Sequence, residues 1–170
     1  NLYDKSKHDD SRVRTYLALA MGKTNDLYFG PYLIKGLDEE KNITNRIAAI
    51  KSLGMLKYNE SCSLLERIIK ESEYDSEKLA AIISLGVIGN NKFKNILIEM
   101  LDYEEPNIRW DAAIALAKMN DKSGVVIISN LLDRDYYASY PPIKDGSGVN
   151  IDEIDNSIYT TIAVCQKLID

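Results

Sequence analysis

The sequence predicts an all-α chain: a right-handed α-α superhelix of about four short helical hairpins, closed by a C-terminal helix. Three observations lead there. A nine-residue stretch, Arg46-Ile-Ala-Ala-Ile-Lys-Ser-Leu-Gly54, returns as Lys78-Leu-Ala-Ala-Ile-Ile-Ser-Leu-Gly86, as Arg109-Trp-Asp-Ala-Ala-Ile-Ala-Leu-Ala117 and, more loosely, as Arg14-Thr-Tyr-Leu-Ala-Leu-Ala-Met-Gly22. The leading basic residues stand at 14, 46, 78 and 109, at spacings of 32, 32 and 31. A second register keeps the same period, because Leu37-Asp38, Ile69-Lys70, Leu101-Asp102 and Leu132-Asp133 are also 32, 32 and 31 apart. A fixed period of this length, with small residues three and six places after the cation and an apolar residue at seven, marks an array of stacked helical hairpins.

In order along the chain, Asp10 and Ser11 offer capping oxygens for a helix running to about Gly22, where glycine suits a left-handed stop. Lys23 to Asp26 reads as the turn. A second helix follows near Asp26 to Asp38, with Gly30-Pro31 in its first turns, where the missing proline N–H is tolerated. Asn42 or Thr44 caps the next helix, to Lys57, and its partner runs from about Glu60 to Glu73. The third hairpin spans Asp75 to Ile88 and Asn91 to Asp102, with Gly89-Asn90 between. Pro106 opens the fourth as a first-turn proline, giving helices over Pro106 to Met119 and Lys122 to Asp133. The repeats so drawn cover about 10–40, 41–73, 74–104 and 105–133. From Arg134 to Val149 turn formers replace the helical pattern and mark an inserted loop. Helical spacing resumes at Ile154, Ile158, Ile162, Cys165 and Ile169, so residues 150–170 form an amphipathic helix able to lie over the last hairpin.

With 170 residues, 45% hydrophobic and 28% charged, the chain has the composition of one folded domain spread along a line, each repeat touching its neighbours. No run approaches the roughly 18 apolar residues that a spanning helix needs, so membrane insertion is not expected. The net charge of −5 argues against a general polyanion binder, because clustered Lys and Arg supply most nucleic-acid affinity. Cys62 and Cys165 are too few for a disulfide framework and too far apart for a metal motif, and both read as small buried hydrophobes. His8 is the single histidine and has no partners for a metal site or triad. No cofactor, metal or catalytic motif is expected, and Asp145 to Asp152 lacks the acidic spacing and terminal Glu of a calcium loop.

Asn1 to Lys5 shows neither the basic start nor the apolar run of a signal peptide. Leu2-Tyr3-Asp4 is similar to the repeat end Leu101-Asp102-Tyr103, so the expectation is a fragment of a longer array. Sparse cysteines give the cytoplasm as the default compartment, with an extracytoplasmic fragment as the alternative.

Residues 10 to 133 resemble the short HEAT-type repeats of the phycobilisome bilin lyase-like group. The residues that carry the resemblance are Arg46, Ala49, Ser52, Leu53 and Gly54; Lys78, Ala81, Ser84, Leu85 and Gly86; and Arg109, Ala112, Ala115, Leu116 and Ala117. The first unit departs from it, with Leu17 at the first small position and Met21 for Leu. The resemblance implies that the second helices line a concave face. Carried over by phase, the outward positions there are Pro31, Ser63, Asn95 and Val126; Ile34, Glu66, Ile98 and Ser129; and Lys35, Arg67, Glu99 and Asn130. These rows mix apolar, acidic and basic groups, which fits a protein-binding groove better than a phosphate track, or else a merely solvated face.

Three other features carry two readings each. The leading cations either meet an acidic partner or join polar ladders between repeats, with Asp38, Asp75 and Asp102 as neighbours. Trp110 is either a binding hot spot or a cover for the neighbouring repeat, as Ile47 and Leu79 at equivalent positions suggest. Tyr136, Tyr137 and Tyr140, beside Pro141-Pro142, form either a recognition loop or a cap over the end of the array. The functional expectation is a non-catalytic scaffold binding a partner protein, or another region of the parent chain, along the second helices. Ile34, Lys35, Glu66, Arg67, Ile98, Glu99, Asn130 and the three tyrosines are the candidate contacts. The resemblance alone implies the alternative, a bilin lyase-like or other enzyme-accessory domain. Nucleic-acid binding would need a basic stripe that the rows lack.

Overall fold

A computed structural model describes residues 10–131 and 133, and every regular element among them is helical. The α-helices are α1 (Ser11–Lys23), α2 (Gly30–Glu39), α3 (Ile43–Met55), α4 (Cys62–Glu71), α5 (Asp75–Ile88), α6 (Lys94–Glu99), α7 (Pro106–Lys118) and α8 (Val125–Leu131). The fold is an all-α helical repeat. The inserted loop 134–149, the C-terminal helix 150–170, His8 and Cys165 lie outside the described residues.

Helix ends follow the local chemistry. Asp10 caps α1 by accepting the Arg12 N–H at 2.9 Å, and Asn42 caps α3 by accepting the Asn45 N–H at 3.2 Å. Pro31 lies in the first turn of α2 and Pro106 opens α7, where their missing N–H groups have no intrahelical partner to lose. The second helices begin later than the sequence pattern places them. A 3₁₀ turn precedes each of α2, α4 and α6, over Leu27–Phe29, Asn59–Ser61 and Asn91–Phe93. The third second-helix also tightens to 3₁₀ at Met100–Asp102. The fourth is shorter than expected, starting at Val125.

One expectation is corrected. Gly22 is not the left-handed stop of α1; among the described residues those with positive φ are Asn25, Lys57, Gly89 and Asn120, again 32, 32 and 31 apart. Gly22 and Gly54 instead stand inside their helices at points of close approach. A Cβ on Gly22 would lie 2.7 Å from Ser52 Cβ, and one on Gly54 would lie 2.6 Å from Ser84 Oγ. Each serine uses that proximity: Ser52 donates to the carbonyl of Ala18 at 2.8 Å, and Ser84 to that of Ile50 at 3.0 Å. Successive first helices thus stack backbone to side chain, at a distance only glycine permits.

The chain divides into two compact units, residues 1–96 and 97–170. In the first, α1, α3 and α5 pack in succession, α2 packs against α3 and α4 against α5. Its core is Leu33, Leu37, Ile50, Leu53, Leu65, Ile69, Ile82 and Leu85, with Ala49 and Ala81 buried as their small size predicts. Cys62 is buried among apolar groups, and that burial, followed by the nearby Glu60, pushes its thiol up. In the second unit α7 and α8 pack on a cluster of Ala113, Ala117 and Ile128, flanked by Leu101 and Ile127. Gly124 lets the turn touch α7, since a Cβ there would stand 2.6 Å from Ala113 Cβ.

Two of the leading cations join polar networks through acids that the sequence pattern does not single out. Arg14 Nε donates to Glu40 at 2.7 Å, and Arg46 pairs with Glu77, which is buried to 2% exposure. Arg46 Nη1 also donates to the carbonyl of Leu37 at 2.8 Å, satisfying the last turn of α2. Arg109 Nη1 binds the carbonyls of Tyr103 and Glu104 at 2.7 and 2.8 Å. Arg46 and Arg109 therefore bond main-chain oxygens at or just after the end of the preceding second helix, a role the sequence motif alone does not reveal.

Candidate protein-binding face

The outward surface of α2 and α4 is set by their buried stripes. Leu33 and Leu37 point inward on α2, and Leu65, Ile68 and Ile69 on α4, which leaves Pro31, Lys35 and Asp38, and Ser63, Arg67 and Lys70, exposed. Ile34 and Glu66, at equivalent positions, are half-buried. The two helices exchange charge directly: Arg67 Nη2 lies 3.7 Å from Asp38 Oδ1, with both side chains more than half exposed. On α4 itself Lys70 Nζ bonds Glu66 Oε1 at 2.7 Å, one turn apart. Lys35, Asp38, Arg67 and Lys70, with the half-buried Glu66, therefore form one row of mixed sign within the first unit. Asp38 and Lys70 are additions to the predicted contacts. Their signal is in the sequence, since they occupy one phase with opposite charge and Lys70 follows Glu66 by four residues.

The row continues toward the start of α2 as an aromatic patch. Tyr28, Tyr32 and Lys35 follow at helical spacing, the two phenol oxygens are 2.8 Å apart and their rings 5.2 Å apart. That bond, with partial desolvation, pushes the Tyr32 phenol up. Phe29 meets the Tyr28 ring edge-on at 5.6 Å. Sequence reasoning passed over this patch because the tyrosines fall outside the repeated motif.

In the second unit Ile98 and Glu99 are exposed on α6, Val126 and Ser129 on α8, and Asn130 is half-buried. Asn95, in the first unit, is exposed as well. Tyr136, Tyr137 and Tyr140 lie outside the described residues. Trp110 is half-buried, as are Ile47 and Leu79 at its equivalent positions, so it is not a freely projecting aromatic. Among the described residues no group of three or more His, Cys, Asp or Glu side chains could hold a metal ion, and no helix is long and apolar enough to cross a membrane.

Comparison with known proteins agrees with the repeat geometry. No curated protein matches the chain. The family model of HEAT repeats matches it twice, over residues 2–86 and 64–139, overlapping at 64–86. With helical hairpins recurring at one period and most of its length matched, the chain belongs to the HEAT-repeat family.

Proposed function

We propose that the chain is a non-catalytic scaffold that binds a partner protein, or a segment of its own parent chain, along the second helices. HEAT repeats generally mediate protein–protein interaction. The observation that carries the reading here is the row of exposed Lys35, Asp38, Arg67 and Lys70 with the half-buried Glu66. Its ion pairs are largely solvated and each contributes about 0–1 kcal/mol, so an incoming partner can exchange them at small cost. Mixed sign favours a partner with charges of both signs over a polyanion. Tyr28 and Tyr32 add the broad apolar area with a polar tip that suits an interface anchor. Tyr136, Tyr137 and Tyr140 extend the proposed contact set, as do Ile98, Glu99 and Asn130.

Site-specific photo-crosslinking in the source cell tests this. A photoreactive residue at Ser63, exposed on α4, should capture a defined partner that the same residue at Lys51, exposed on α3, does not. Capture from Lys51 alone would move the function to the first helices. The bilin lyase-like reading rests on the repeat motif alone, and transfer of a bilin to an acceptor by the purified chain would establish it.

A further inference from the structure

We propose that two polar clusters in the first unit are one stacking clasp whose carboxylate can occupy either of two chain positions. In the first cluster Glu40 accepts from Arg14 Nε at 2.7 Å, from the Asn42 N–H at 2.9 Å and from Asn45 Nδ2 at 2.9 Å, while the Asn45 oxygen meets Thr15 Oγ1. In the second, Glu77 accepts from Arg46 Nε and from Ser72 Oγ at 2.8 Å, while Ser72 Oγ accepts the Tyr74 N–H at 3.2 Å. Apart from Thr15, whose counterpart is the apolar Ile47, each group maps by a shift of 32: Arg14 to Arg46, Asn42 to Tyr74, position 40 to 72, position 45 to 77. The acid and its neutral neighbour have changed places. Glu40 with Asn45 becomes Ser72 with Glu77, and the short side chain at 72 takes over the backbone N–H that Glu40 held.

The physical reason is charge balance in a closed space. Each junction offers one guanidinium, largely shielded from solvent, so it requires one carboxylate nearby. Two acids would repel, and none would leave the cation unmatched. The neutral position needs only a hydrogen-bond donor to the carboxylate, which amide and hydroxyl both supply. One arginine from each of the first two hairpins thus grips the acid of the stacking junction ahead of it, whichever of the two positions presents it.

Exchange in the intact chain is the test. Glu40→Ser alone should lower the melting midpoint by about 5 °C or more, and Asn45→Glu alone should lower it similarly. The double variant Glu40→Ser/Asn45→Glu reproduces the second clasp in the first and should recover at least half of the combined loss. It should also restore slow exchange of the Arg14 Nε proton, a readout that general tightening of the helix would not move. A double variant as unstable as the sum of the two singles overturns the proposal. If a single variant does not fold, a cooperative melting transition in the double still supports exchange, and its absence refutes it.

Discussion

Glu40 is where the electrostatics of the fold can be measured at one residue. Its partial burial acts to push the carboxyl up, but the Arg14 guanidinium, the Asn42 backbone N–H and the Asn45 amide outweigh that and hold it at about 2, against an ordinary 4.5. A carboxyl whose folded pKa lies below its unfolded value contributes stability that is fully present above the unfolded value and is lost as pH falls through the folded one. The window is therefore about pH 4.5 to 2, and the amount is about 3 kcal/mol at most, since each pKa unit corresponds to about 1.4 kcal/mol. Urea denaturation at a series of pH values should show this loss, and Glu40→Gln should flatten it while lowering stability near neutrality. A wild-type curve as flat as the variant's between pH 5 and 2.5 would mean that Glu40 is not held as described.

Within the helices, identical substitutions should have opposite signs. Gly36, in α2, has nothing within 4 Å of where a Cβ would stand, so Gly36→Ala gains helix propensity and should stabilise by about 0.5–1 kcal/mol. Gly54, in α3, faces Ser84 Oγ at 2.6 Å and Ser84 Cα at 2.9 Å, so Gly54→Ala must push α3 from α5 and should destabilise by about 1–3 kcal/mol. Thermal melts of the two variants would separate these outcomes; equal shifts would contradict the close stacking of α3 and α5. Ala81 is fully buried, and Ala81→Leu should likewise lower stability by about 1–3 kcal/mol through overpacking. Helix identity was legible because period and small-residue spacing survive in the linear sequence, and α5 was placed to the residue. Gly22 was misread as a stop because one symbol serves both a left-handed turn and a close approach; Lys57, left-handed and unremarkable in type, held no signal at all. The acids of the clasp were missed for a related reason: Glu40 and Glu77 sit at different repeat positions and meet equivalent arginines only after stacking.

For the molecule as a whole, the question is whether folding and binding reside in different residues. The groups that hold the first unit together are the buried stripes, the glycine–serine contacts and the two clasps, whereas the proposed contact row is exposed and linked by weak ion pairs. The row's exposure was readable from the phase of the second helices, but its internal pairing was not, because Asp38 and Arg67 belong to different repeats. Charge reversal of Arg67 and Glu99 together, Arg67→Glu with Glu99→Lys, preserves net charge and removes no buried atom. Such surface changes usually alter stability by about 0.5 kcal/mol or less. The helical signal and melting midpoint should therefore stay near wild type while partner capture falls, because each contact now presents the wrong sign. Truncating Tyr136, Tyr137 and Tyr140 to Ala should act in the same direction if that stretch joins the contact. Wild-type capture by all of these variants, with loss of capture when the half-buried Trp110 is replaced in a chain that remains folded, would assign recognition to the first helices instead.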